Sequence, residues 1–454
     1  MSPGYPLGLN IVDNTSMYTS WEDMAIVLAG PRSGKSLCYA IPAVLSAPGP
    51  CLATSNKGDI LDVTAPIRRL DHPNGEIWTF DPERIADPNR KSAPWVWDLI
   101  ASVQSIADAK RIADCWRYAS GQPQTGGDDF FPGTAAQQLA DYLFAAHLGG
   151  RSVSDVFRWC SNERDTSPAD ILSEYPRYAG IASRVSSVIA LTPETRSGVF
   201  GSLQTMVAFL ADPEIIDWID RTGIRMGTST SGAACSTLRV RHERGHPVPA
   251  FRPGPSLHRV DRQPDGGGGV HRVPTRPIRV HRQQPPSAGP VVLRAGRAAN
   301  ICRWPELADV YSYFGSAGIP IMTIWQNPDQ GRAAFGETNF GSLFNNANIT
   351  VYLGGIKDAK FLGEISQLVG QREIVRGSVN IDGTGRRSVN NSIQKENILD
   401  VSDLTEWPVG RALLLASQSR AQIVKTLPWT GNRQWADALT QAKAKAREEQ
   451  RKAA

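Results

Sequence analysis

Met24-Ala25-Ile26-Val27-Leu28-Ala29-Gly30-Pro31-Arg32-Ser33-Gly34-Lys35-Ser36 decides the fold of this chain. The apolar run Met24 to Leu28 reads as a buried strand. Ala29-Gly30-Pro31 breaks it, since proline removes a donor and no strand or helix interior tolerates the pair well. Ser33-Gly34-Lys35-Ser36 follows, and then Leu37 to Leu45, a helical stretch around a kink at Pro42. Strand, glycine-rich turn, helix is the setting of a phosphate-binding loop. Such a loop cradles phosphate on the backbone N–H groups of Gly30, Pro31-Arg32, Ser33 and Gly34 (Pro31 itself has none) and on the helix N-terminus. Lys35 would reach the β- and γ-phosphates, and the Ser36 hydroxyl would ligate Mg²⁺. The match to G-x-x-x-x-G-K-[ST] is offset: its first glycine falls on Ala29, and Gly30 comes one place late.

A chain of 454 residues is too long for one small core, so two domains are expected. There is no run of about 18 apolar residues, so no membrane span is expected, and Met1 to Tyr18 lacks the apolar core of a signal peptide. The six cysteines are scattered without a C-x-x-C pair, which predicts reduced thiols and excludes a disulfide frame or a cysteine metal site. The net charge of +5 points less firmly to nucleic acid than it first suggests. Twelve Arg and three acids between Arg239 and Arg297 give that segment +9, which leaves −4 for the rest.

Pro50 to Thr54 reads as a second strand, ending in the polar turn Ser55-Asn56-Lys57-Gly58-Asp59, where an α/β sheet places ligand contacts. Glu76 to Phe80 reads as a third. Strands alternating with helices predict a parallel, mostly buried sheet. From Ser102 the pattern becomes helical, with apolar residues at i, i+3, i+4 spacing through Ser102–Tyr118, Gly133–Leu148, Ser152–Cys160, Ile171–Leu191 and Val199–Leu210. This predicts an all-α domain over 101–226, inserted into an α/β domain made of 7–100 and 227–430. Its Trp and Tyr residues read as core, not as base-stacking platforms. Beyond Ala298 come a helix at Asn300–Phe314, a strand at Gly318–Ile324 ending in Trp325-Gln326-Asn327, and a strand at Ile349–Leu353 closed by Gly354-Gly355. A helix at Asp358–Val369, a polar hairpin over 377–395 and a last strand at Val409–Leu415 follow. The tail, 436–454, reads as a solvated charged helix or a disordered end.

Several of these stretches together resemble the TraG/TraD coupling proteins of type IV secretion in their actinobacterial form. They are Ser20-Trp-Glu-Asp, Ala29 to Ser36, Ile41-Pro-Ala-Val-Leu, Ala47-Pro-Gly-Pro, Thr54-Ser-Asn-Lys, Phe80-Asp-Pro, Ala299-Asn-Ile-Cys-Arg-Trp, Thr323-Ile-Trp-Gln, Ile365 to Gly370 and Leu404 to Leu415. The likeness covers most of 7–430. It implies a RecA-like P-loop NTPase motor of the FtsK/HerA type with an inserted all-α domain. It further implies ATP and Mg²⁺ as ligands, a homo-hexamer, and DNA, a relaxase and the type IV secretion channel proteins as partners at the inner face of the cell membrane. Carried over by position, Lys35 and Ser36 bind phosphate and metal, and Gln326 senses the γ-phosphate or positions water. An arginine from a neighbouring subunit is expected, with Arg372 and Arg332 as candidates. Members of the family usually carry N-terminal membrane helices, whereas this chain begins just upstream of the motor, so a truncated product, an alternative start or a soluble variant is expected. Beside the coupling-protein reading stand two others: a hydrolysis-deficient remnant of such a motor, and a DNA pump of the HerA/FtsK kind outside conjugation.

One stretch departs from the family. Its motors carry a second acidic strand, four apolar residues then Asp-Glu, directly before the text now at Ala298-Ala299-Asn300. The Asp holds Mg²⁺ through water and the Glu polarises the attacking water. Here that text is Val291-Val-Leu-Arg-Ala-Gly-Arg297, without an acid. Across 239–297 five of the chain's seven His appear, Lys is absent, and Pro, Gly and Arg dominate. A disordered basic linker is one reading. The other comes from the genetic code. Arg294-Ala295-Gly296-Arg297 can be encoded CGT GCT GGA CGA, and shifted by one base, with a G following, this reads GTG CTG GAC GAG, or Val-Leu-Asp-Glu. On this reading 239–297 is out-of-frame text with no packed fold, and the acidic pair is lost.

Overall fold

The computed structural model describes residues 3–55, 57–73, 77–89, 95–122, 130–220, 239–241, 247–249, 291–295, 307–381 and 387–453. The chain opens on a short hairpin, β1 (Pro6–Asn10) and β2 (Ser16–Tyr18), and then enters β3 (Ala25–Leu28). Every residue of β3 is buried, as in a strand covered on both faces. A wider-wound helical turn at Ser36–Ala40 runs directly into α1 (Ile41–Ser46), with Pro42 just past the junction. The predicted second strand contracts to β4 (Ala53–Thr54), and α2 (Asp59–Asp71) follows.

The helical part comprises α3 (Ile106–Ala119), α4 (Phe130–Leu148), α5 (Val153–Ser161), α6 (Ser167–Ser173), α7 (Ala179–Ile189), α8 (Pro193–Val207) and α9 (Pro213–Ile219). These helices share one apolar core of their own, centred on α4, which is buried almost all round. The buried carboxylate of α4, Asp141, receives both Nε (2.8 Å) and Nη2 (2.6 Å) of Arg184 on α7.

The predicted third strand is not a strand. Ile77 to Phe80 joins no sheet. Trp78 stacks edge-on against Trp95 at 5.3 Å, and Phe80 against Trp218 at 5.2 Å. The alternating aromatics that mimic a half-buried strand seat instead on rings of the helical part. There the Trp97 N–H donates to the Trp218 carbonyl at 2.7 Å, and Arg84 pairs with Glu214.

Beyond the helices, β5 (Arg239–Arg241) and β6 (Pro247–Pro249) form a small antiparallel pair, and β7 (Val291–Ala295) enters the main sheet. The rest of 239–297, and with it the expectation of no packed fold there, lies outside the described residues. Then come α10 (Leu307–Ser316), β8 (Ile321–Trp325), α11 (Pro328–Phe335), α12 (Glu337–Asn346), β9 (Ile349–Tyr352) and α13 (Ala359–Val369). A long hairpin, β10 (Gln371–Ile381) and β11 (Arg387–Asn397), is followed by α14 (Val401–Thr405), β12 (Arg411–Ala416), β13 (Gln422–Lys425) and α15 (Arg433–Ala453). The first turns of α15 pack on the body through Leu439, Trp435 and Ala438, so the charged tail is helical and anchored at its base.

The sheet order is β2-β1-β13-β12-β9-β3-β8-β7-β4. From β9 to β4 all neighbours are parallel, and β12, β13, β1 and β2 extend the sheet antiparallel. The lead-in before Met24 and the segment after Ala416 therefore supply the outer antiparallel strands, with β2 at the edge. Alternation along β3 divides the core. Ala25, Val27 and Ala29 face α1 and α15, whereas Met24, Ile26 and Leu28 face α10 to α13. This is the RecA-like α/β fold: the first strand lies between later ones, and the parallel strands all end at one edge, where such sheets bind ligands.

Candidate nucleotide site

The ends of β3, β8 and β9 are tied together before the glycine-rich turn begins. The Ala29 N–H donates to the Trp325 carbonyl at 2.9 Å, and the Leu353 N–H to the Leu28 carbonyl at 2.9 Å. The next amide, Gly30, donates to the Gly354 carbonyl at 2.9 Å. A Cβ on Gly30 would lie 2.3 Å from the Gly355 carbonyl oxygen. That contact explains the offset from the motif. Ala29, directly after β3, is fully buried in the core, and the requirement for glycine falls on Gly30.

The turn then folds on itself. Ser33 donates its hydroxyl to the Gly30 carbonyl at 2.8 Å. Arg32 (φ 61°) and Gly34 (φ 85°) both take the left-handed conformation, and a non-glycine residue held there is characteristic of functional turns. Lys35 is 5% exposed, and its Nζ donates to the carbonyls of Ala29 (3.2 Å) and Gly30 (3.4 Å). The ammonium thus bridges the mouth of the loop from its own backbone. Ser36 opens the helix, half-buried, and Pro31 and Arg32 are exposed at the loop's crest. Left-handed residues in a turn that closes on a helix N-terminus aim backbone amides into an anion-binding concavity, and the buried cation adds charge to it. These residues fit a polyphosphate, and Ser36 is the hydroxyl-bearing residue at the helix start beside them. No group of three or more His, Cys, Asp or Glu able to hold a metal exists among the described residues.

Gln326 follows β8 directly and is half-buried at the same edge, one residue beyond Trp325, whose carbonyl holds Ala29. Trp325 is itself fixed by edge-on packing against Phe335 (5.8 Å) and Phe340 (5.5 Å). Next in the sheet, β7 stands where an acidic strand is required, and its last residue, Ala295, pairs with Trp325. Gly296 and Arg297 lie outside the described residues. The acids nearest in topology behave differently from each other. Asp81 is buried, its two oxygens accepting the N–H groups of Ile85 (2.8 Å) and Ala86 (2.9 Å). Asp59 is exposed at the start of α2, beyond the end of β4.

Of the two candidate arginines, Arg372 is exposed on β10 opposite Glu396. Arg332 on α11 is ion-paired within its own chain to Asp329 (3.0 Å), Glu337 (3.3 Å) and Asp358 (3.7 Å). Sequence reasoning did not identify the contact of Gly354-Gly355 with the loop. Its one signal was a Gly-Gly pair after a strand, which is equally an ordinary strand end. Among the described residues no single helix is long and apolar enough to cross a membrane.

Comparison with known proteins agrees with this fold. Residues 11–221 match the family described as type IV secretory system conjugative DNA transfer. Residues 292–409 match the one described as the TraM recognition site of TraD and TraG. The compositionally distinct segment falls, all but its last residues, between the two. Among solved structures, the unbound bacterial conjugative coupling protein TrwBdeltaN70 superposes with a TM-score of 0.59 at 14% identity, over 92% of this chain and 88% of that one. The plasmid coupling protein TrwB in complex with ADP and Mg²⁺ does so with a TM-score of 0.59 at 13% identity, over 93% and 89%. No curated protein sequence matches significantly.

Proposed function

We propose, from the premise that this chain belongs to the TraG/TraD family of conjugative coupling proteins, that it is the nucleotide-binding motor of a type IV transfer system and recruits relaxase-bound DNA to the channel. The reading rests on one observation. A single sheet edge gathers a self-closed turn with a buried lysine, a hydroxyl at a helix start and a strand-end glutamine. In this reading the amides of 32–36 and Lys35 hold the phosphates of ATP, since the Gly30 amide is already given to the Gly354 carbonyl; Ser36 takes Mg²⁺, and Gln326 faces the γ-phosphate. The helical part, over about 101–226, is an insertion in the motor formed by 7–100 and 227–430, and copies of the chain assemble as a homo-hexamer at the inner face of the membrane.

A second reading, that of a motor which binds nucleotide and barely hydrolyses it, is favoured by β7. That strand stands in the position of the acidic strand, and Val291 to Arg297 contains no carboxylate. Calorimetric titration with Mg-ATP, with Lys35→Ala as control, tests binding; turnover with and without single- and double-stranded DNA tests the motor. Binding that is unchanged in Lys35→Ala removes the site assignment. DNA binding without any affinity for a relaxase would instead favour a DNA pump outside conjugation.

A further inference from the structure

We infer that Arg332 is a positioning residue that acts within its own subunit, clamping the segment after Gln326 to the segment that braces the phosphate loop. The inference deepens the proposed nucleotide reading and rests on it. Two connections leave the strands that flank β3. From β8 the chain passes through Gln326 to Asn327, whose Oδ1 accepts the Gln330 N–H at 2.9 Å and starts α11. From β9 it passes through Gly354-Gly355, which touch Gly30, to Asp358, whose Oδ1 accepts the N–H groups of Lys360 (3.0 Å) and Phe361 (3.1 Å) and starts α13. Arg332, one turn into α11, joins the two.

Asp329 makes the shortest contact, as a hydrogen bond, but burial singles out the partner that reaches the other segment. The side chains of Asp329 and Glu337 are 73% and 74% exposed, where an ion pair contributes little. Asp358 is 23% exposed and Arg332 22%, so their 3.7 Å separation lies in a less screened environment. Asp329 and Glu337 also hold the guanidinium from its own side of the contact, on α11 and at the start of α12. A guanidinium engaged by three carboxylates of its own chain is not presented to a neighbouring subunit. The circuit is closed: Gly30 to Gly354, Gly355 to Asp358, Asp358 to Arg332, Arg332 back to Gln326, and Trp325 to Ala29. Its consequence is specific to the third phosphate. Loosening the clamp leaves the turn that holds the α- and β-phosphates in place, but frees the strand end that faces the γ-phosphate.

The test compares affinities for a non-hydrolysable ATP analogue and for ADP, each with Mg²⁺, by calorimetry. The variants are Arg332→Ala, Asp358→Asn and Gln326→Ala. Asn at 358 retains the helix cap and removes only the charge. The expected result is that Asp358→Asn and Arg332→Ala each lower the preference for the ATP analogue over ADP about 5-fold or more, the low end of coupling between sites. ADP affinity should stay within about twofold, and Gln326→Ala should do the same. Should Arg332→Ala fail to fold, Asp358→Asn decides alone. A melting temperature lowered with the preference intact, or both affinities falling together, overturns the clamp. If the wild-type chain binds neither nucleotide, or Gln326→Ala leaves the preference unchanged, the nucleotide reading itself falls and the inference falls with it.

Discussion

Gly30 and Gly354 meet across the sheet edge. The amide of one donates to the carbonyl of the other at 2.9 Å, although 324 residues separate them in sequence. Gly355, next along, leaves no room for a side chain at residue 30. The phosphate loop therefore takes its shape from two places, its own Ser33-to-Gly30 closure and the turn after β9.

Gly30→Ala should accordingly be more damaging than a methyl group suggests. The added Cβ would sit 2.3 Å from a backbone oxygen, which cannot rotate away as a side chain would. Overpacking of this kind costs about 1–3 kcal/mol. Denaturant unfolding of Gly30→Ala should show a loss in that range together with loss of nucleotide binding. A variant with wild-type stability would mean that the two turns are further apart than described.

Lys35→Ala should abolish ATP binding. The buried ammonium donates to the Ala29 and Gly30 carbonyls, and it is the one side-chain cation of the turn held inside the loop. Its removal takes a point charge from the β- and γ-phosphates and leaves two carbonyls facing an anion. Titration with Mg-ATP checks this, and the fold should survive, as judged by an unchanged circular dichroism spectrum.

Arg68 on α2 is a stability residue. Its guanidinium donates to the carbonyls of Val44 (2.9 Å), Ala47 (3.0 Å) and Gly49 (2.7 Å), which closes the C-terminal end of α1. Hydrogen bonds to charged groups contribute about 1.5–3 kcal/mol each, and three shared by one half-buried cation add less than their sum. Arg68→Met should lower unfolding stability by about 2–3 kcal/mol, with Arg68→Lys intermediate because one ammonium cannot span all three acceptors. Equal stability of all three chains in urea would refute the assignment.

Asp141 gives a pH signature. Burial pushes its carboxyl up from the ordinary range, and Arg184 pulls it back without fully offsetting the burial. A raised acid favours the folded state when protonated, so its contribution is present at low pH and is lost as pH rises through the folded value. Arg184→Met removes the opposing cation and raises the carboxyl further. The variant's deficit in melting temperature should be largest at neutral pH and shrink on acidification. A deficit independent of pH would show that Asp141 is held by other means.

The strands of the motor were legible where both faces are covered. Met24 to Leu28 and Ile349 to Leu353 are continuous apolar runs of strand length, ended by glycine. The outer antiparallel strands were not: β1, β2 and β13 carry mixed burial and few apolar residues, so their pairing is decided by neighbours that the local sequence does not reveal. Ile77 to Phe80 misled for the opposite reason. Alternating aromatics satisfy the strand pattern equally well whether they face a sheet or the rings of Trp95 and Trp218. At the site, the residues contiguous with the loop could be read directly. The brace at Gly354-Gly355 and the ion pairs of Arg332 could not, because each joins stretches far apart in the chain.

Catalysis separates from binding at β7. On the proposed reading Lys35, Ser36 and the loop amides hold nucleotide, but the strand beside Gln326's strand reads Val-Val-Leu-Arg-Ala over 291–295. In phosphoryl transfer, positioned water and charge stabilisation supply most of the rate, so a missing acidic pair costs on the order of several kcal/mol of barrier. The chain as written should therefore hydrolyse ATP barely above background, with or without DNA. Asp81 is spent on the amides of Ile85 and Ala86, which leaves Asp59 as the nearest alternative. Arg294→Val, Ala295→Leu, Gly296→Asp and Arg297→Glu together restore the shifted text at the end of the strand, and full repair continues that frame upstream. The repaired chain should gain DNA-stimulated turnover, read by phosphate release. The gene settles the origin: an open reading of Val-Leu-Asp-Glu in the alternate frame before Ala298 is expected, and its absence refutes the frameshift. Robust turnover by the unrepaired chain, abolished by Asp59→Asn, would place the catalytic acid on α2 instead.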